Sequence, residues 1–135
     1  MIGYRSGPLF ASSDVVHIAV TGKQTHGGFP WNGVDPIVAS AQVITALQTV
    51  VSRQLNITKE PAVVSIGQIN GGNRDNIIPA SVEMAGTLRT FDEAMRADAR
   101  KRIVQAAESA AAANGATAKV SFDPFGYAVT VNDAA

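Results

Sequence analysis

The chain has 135 residues, 46% of them hydrophobic and 16% charged, and its 11 basic and 11 acidic side chains cancel. This is enough for one domain with a core of its own, too little for two, and too apolar for a disordered segment. The balanced charge argues against nucleic acid as a partner, no apolar run is long enough to span a bilayer, and the absence of cysteine removes any disulfide framework or thiolate metal site.

Residues 1–13 are punctuated by Gly3, Gly7, Pro8, Ser12 and Ser13, show no periodicity, and read as a connector. They lack the charged-then-apolar order of a signal peptide, which with the missing cysteines fits a cytoplasmic protein. Residues 14–21 alternate, with Val16, Ile18 and Val20 on one face and Val15, His17 and Ala19 on the other, as a half-buried strand does. Asp35 can cap a helix that Pro36 opens, and Ile37, Val38, Ala41, Ile44, Leu47, Val51 and Leu55 keep helical spacing. Residues 62–70 read as a second strand without a single charge, a poorly protected edge if it lies at one. A turn at 71–76 leads to a third strand over 81–90, with Val82, Met84 and Leu88 on one face. Thr90 and Glu93 stand at capping-box spacing before a second helix striped by Met95, Ala99, Ile103, Ala106, Ala110 and Ala113. Asn114-Gly115 ends it, residues 118–122 alternate as a fourth strand, and 124–135 read as a connector, leaving 14–123 as the domain.

The order β-α-β-β-α-β predicts an α+β, ferredoxin-like sandwich, a four-stranded antiparallel sheet with both helices on one face. His17, Glu83, Thr87 and Arg89 then lie on the open face. Strand polarity places two loops at one pole, 22–36 and 71–76. The first holds one of the two histidines, His26, the only Trp, four of twelve glycines and two of six prolines. A histidine displayed on a glycine-rich loop between strand and helix is a functional candidate, against the plainer reading of an exposed loop residue. With Asn76 at the same pole it can hydrogen-bond a developing negative charge, while Arg89, near the other pole, offers a fork for a carboxylate. No HxxxH or HxD spacing accompanies His26, no nucleophile stands beside a histidine, and the Gly71-Gly72 pair has no phosphate-loop spacing. The residues make part of an active site, not a whole one.

Four stretches, GKQTHGGFPWNGVDPI, LQTVVSR, INGGNRDNIIPASVEMAGTLRTF and the closing TVND, resemble in order the dimerisation (lid) domain of the dizinc amidohydrolases. That family includes aminoacylases, hippurate hydrolases, glutamate carboxypeptidases and succinyl-diaminopimelate desuccinylases, and the wording is nearest the N-acyl-amino-acid and hippurate-type branch. The resemblance implies a domain inserted into a larger catalytic domain that carries two zinc or other divalent ions, and a homodimer in which the domain meets its own and its partner's catalytic domains. It implies that His26 stabilises the tetrahedral intermediate with Asn76, that Arg89 recognises the carboxylate of a small N-acyl amino acid or peptide, and that Gly27 and Gly28 let backbone approach it. The family's zinc ligands have no counterpart here, since Asp14, Asp35 and Asp133 lie outside the matching motifs. The expectation is a module with no metal or other cofactor, inactive alone, donating His26 in trans. The competing reading is a free-standing ferredoxin-like binding or assembly module with no catalytic role.

Overall fold

A computed structural model describes residues 6–132. Four strands form one antiparallel sheet in the order β4-β6-β2-β7, where β2 is Asp14–Thr21, β4 Ala62–Gly71, β6 Ser81–Thr90 and β7 Thr117–Phe122. Helices α1 (Pro36–Thr49) and α2 (Glu93–Ala113) cover one face. In chain order this is the β-α-β-β-α-β sandwich expected of the α+β, ferredoxin-like class.

Alternation builds the core. Val16, Ile18 and Val20 of β2 and Val82, Met84 and Leu88 of β6 point under the helices and are all buried. Each such side chain contributes about 1.5–3 kcal/mol when taken from water. From above they meet Val43 and Leu47 of α1 and Ile103 of α2. His17, Glu83 and Arg89 face outward and are exposed, and His17 Nε2 lies 3.1 Å from Asp123 Oδ1.

The helices differ from the sequence reading in detail. The buried stripe of α1 is Ala39, Ser40, Val43 and Leu47, while Ile37 and Val38 are about half exposed. The helix starts on Asp35, whose carboxylate accepts from the amides of Ile37 and Val38, and that start fixes a rotation a count of apolar residues does not reveal. Its last turn widens to π-helical geometry over Val50–Gln54. The stripe of α2 advances strictly by four, through Ala107 and Ala111 rather than Ala106, Ala110 and Ala113. Thr90 does not cap α2. Its hydroxyl is buried 2.9 Å from that of Ser12, and Asp92 caps instead, accepting from Met95 N at 2.7 Å. At the far end Gly115 takes positive φ and Ala116 N donates to Ala111 O, closing the helix by a Schellman turn.

Two short ladders were not legible. β1 (Gly7–Phe10) pairs with β8 (Thr130–Asn132), so the two segments read as connectors run side by side at the end of the sheet where β2 begins. β3 (Thr25–His26) pairs with β5 (Ile77–Ile78) at the other end. Asp133 and residues 1–5 lie outside the described residues. No helix among the described residues is long and apolar enough to cross a membrane.

Candidate functional site

The site is built where β2 ends. Gly22 N donates to Ala80 O, and Lys23 and Val34 exchange backbone hydrogen bonds at 2.9 and 3.0 Å, so the loop closes on its own base. Within it the β3–β5 ladder sets His26 opposite Ile77, and Gly27 N donates to Asn76 O at 2.8 Å. His26 and Asn76, 50 residues apart in sequence, are thus held together through their backbones, and both residues are exposed.

A turn follows in which Phe29 N donates to His26 O at 2.9 Å, with Gly27 and Gly28 in its centre. The amide of Gly28 donates to His26 Nδ1 at 2.9 Å. Neither glycine has positive φ, so what a side chain would meet here is tight space rather than a strained conformation. A Cβ on Gly27 would sit 3.1 Å from Asn76 O, and one on Gly28 3.1 Å from His26 Nδ1. Pro30 then opens a 3-10 turn, Pro30–Asn32. The Phe29 ring lies 5.5 Å from the imidazole and the Trp31 ring 5.8 Å beyond it, edge-on. Phe29 and Trp31 remain 52% and 75% exposed, an aromatic ledge beside the histidine that the sequence signalled only by placing its one Trp in this loop. An open groove of about 610 Å³ runs between the start of α1 and the 71–75 tip, lined by Gly27, Asp35, Ile37, Gly72 and Arg74. A groove of the same size between α1 and α2, lined by Thr49, Gln54, Arg102 and Gln105, is remote from both candidates.

Arg89 is not part of this cluster. It stands near the opposite end of β6, across from Val63, with Nη1 3.5 Å from Ser12 O, the long limit of a hydrogen bond. The structure therefore brings His26, Gly27, Gly28 and Asn76 together and sets Arg89 apart.

A metal ion does not fit these residues. Among the described residues no three His, Cys, Asp or Glu side chains gather at one point. Asp14 is buried with its two oxygens on Arg96, and Asp35 is occupied by the amides of α1.

The chain matches the family described as peptidase dimerisation domain over residues 12–115. It belongs to that family. The dimerisation domain is 40% identical over 121 residues to the N-acetyl-L-cysteine deacetylase of Bacillus subtilis (strain 168), covering 90% of this chain and 29% of that protein. It is 39% identical over 129 residues to thermostable carboxypeptidase 2 of Saccharolobus solfataricus, covering 96% and 33%. Among solved structures, a dinuclear metal binding peptidase of the M20 family from Bacillus subtilis superposes with a TM-score of 0.75 at 34% identity, over 98% of this chain and 31% of that one. A protein from methicillin resistant Staphylococcus aureus superposes with a TM-score of 0.89, also at 34% identity, over 96% and 33%. The chain spans about a third of the length of the curated relatives it matches. In this dimerisation domain β4 is an edge strand, uncharged from Ala62 to Gly71, with Val63 and Ile69 half exposed along it.

Proposed function

We propose that this chain is the dimerisation and substrate-lid domain of a zinc-dependent N-acyl-amino-acid (hippurate-type) amidohydrolase, and that His26 and Asn76 complete the active site of the partner subunit. The observation that carries this reading is the fixed, exposed His26–Asn76 pair at the pole away from the β1–β8 ladder. Residues 1–13 and 124–135 serve as connectors to a catalytic domain at that ladder, so the domain's own catalytic domain lies at the far end from its histidine. Two-fold pairing through the uncharged β4 edge brings a partner alongside and makes the reading geometrically natural.

When water adds to an amide carbonyl, its oxygen gains negative charge. His26 Nε2–H and the Asn76 carboxamide donate to that oxygen, and removing one such donor costs roughly 10²–10³ in kcat. Arg89 binds the carboxylate of the released amino acid through its two-pronged guanidinium. The metal ions belong to the catalytic domain outside this chain, and the chain alone hydrolyses nothing. The parent acts in the cytoplasm.

The test uses the parent enzyme as a mixed dimer. One subunit carries His26→Ala and the other lacks a metal ligand. Sharing in trans restores roughly a quarter of wild-type sites, since half the dimers are hybrids and each hybrid has one intact site. A mixture no more active than its two components defeats the reading.

A further inference from the structure

We propose that the backbone amide of Gly28 is a positioning group that fixes the tautomer and orientation of His26, leaving Nε2–H as the donor the ring presents. The inference rests on the proposed role of His26 for its catalytic meaning, but its geometry stands alone. Gly28 N donates to Nδ1 at 2.9 Å. A ring nitrogen that accepts a hydrogen bond carries no proton, so the neutral imidazole bears its proton on Nε2. A ring rotated by half a turn would set a carbon against the Gly28 amide and lose the bond.

Three further contacts keep the amide in place. Phe29 N donates to His26 O, Thr25 Oγ1 donates to Phe29 O at 3.2 Å, and Gly27 N donates to Asn76 O. The Phe29 ring, tilted 50° to the imidazole at 5.5 Å, limits rotation from the other side. Any side chain at position 28 would place its Cβ 3.1 Å from Nδ1 and 3.3 Å from Cε1, tight enough to push the ring by a few tenths of an ångström. The two glycines divide the work: the amide of position 27 aligns the loop with Asn76, and that of position 28 aligns the ring. A donor fixed before substrate arrives needs no reorganisation as the oxyanion forms.

The test is 15N NMR of the chain with labelled backbone and histidine rings, at about pH 8, above the ordinary histidine range. His26→Ala assigns the ring signals against those of His17. The expected result is one tautomer for His26, with Nδ1 in the unprotonated range and Nε2 in the protonated range. A scalar coupling across the hydrogen bond should join Gly28 N to Nδ1. A protonated Nδ1, tautomer-averaged shifts, or no such coupling overturns the proposal without any variant being needed. In the parent enzyme Gly28→Ala, which keeps the amide but crowds the ring, should lower kcat about threefold to tenfold with KM nearly unchanged. An equal change in KM alone would also overturn it. If His26→Ala leaves kcat intact, the proposed function fails while the NMR result still decides the lock.

Discussion

Asp14 is fully buried where β2 begins, and its removal should be the most damaging single polar change in the chain. Arg96 grips both carboxylate oxygens, Nε to Oδ2 at 2.7 Å and Nη2 to Oδ1 at 2.9 Å, and Arg100 Nη2 lies 3.4 Å from Oδ1. The guanidinium of Arg96 is held far above its ordinary pKa, first by its hydrogen bonds to Asp14. Breaking a buried pair by deleting one partner costs about 3–5 kcal/mol. Arg96 keeps some relief, since its side chain is 12% exposed and Glu93 remains 3.2 Å away. Asp14→Ala should therefore fall at the low end, about 3 kcal/mol, and Asp14→Asn, which keeps one acceptor, at about 2 kcal/mol. With a urea slope of about 2 kcal/mol/M, these shift the unfolding midpoint by about 1.5 and 1 M. The double variant Asp14→Asn/Arg96→Met should lose less than the two single variants summed, because neither charge is left buried alone. A midpoint for Asp14→Asn within about 0.2 M of the parent would refute the reasoning, as would strict additivity in the double variant.

Three other outcomes follow from single sites. Gly86 lies opposite the irregularity at Ile66/Gln68 in β4, where an added Cβ would run into Ser65 O, so Gly86→Ala should cost about 1–3 kcal/mol and lower Tm by roughly 4–12 °C. An unchanged melting curve would mean that β4 and β6 part freely there. The Asp92 carboxyl is held below its ordinary pKa, first by the Met95 amide and then by Lys59, so its stabilising effect is present above about pH 4 and lost as pH falls through the folded value. Asp92→Asn keeps the cap but lacks this slope, and urea midpoints for the two proteins should converge at acid pH; parallel curves would contradict the assignment. Finally, Val63→Lys puts a charge on the β4 edge, and light scattering should show a dimer becoming a monomer; a wild-type monomer at high micromolar concentration removes the proposed homodimer.

What the sequence disclosed is what period and punctuation encode. The alternation of Val16, Ile18 and Val20 and of Val82, Met84 and Leu88 gave both central strands and their buried faces, and Asp35-Pro36 and Asn114-Gly115 marked helix ends that the structure keeps. The β1–β8 and β3–β5 ladders were hidden because strands of two to four residues have no period to detect, and their partners lie over 50 residues away. Thr90 misled as a cap because its spacing to Glu93 is local, whereas its hydroxyl is claimed by Ser12, 78 residues distant. The polarity of the strands did place His26 and Asn76 at one pole, but nothing in the sequence reveals that their link is the Gly27 amide, or that Gly28 reaches the imidazole.

The separation of the poles constrains how a substrate could use both ends. From Ser81, beside the His26 loop, to Arg89 is eight residues of β6, about 26 Å at the usual rise. An N-acyl amino acid spans about three residues of extended chain, ~10 Å. One molecule therefore cannot meet His26 and Arg89 of the same chain, and if both act on one substrate they come from different subunits. This is testable without touching a metal ligand. In a hybrid of His26→Ala and Arg89→Ala subunits, opposite sourcing gathers both defects into one site and leaves the other intact. A mixture of two nearly inactive parent variants should then recover roughly a quarter of wild-type sites. Were both groups supplied by one subunit, every site in the hybrid would carry a defect, and the mixture would stay at the level of its components.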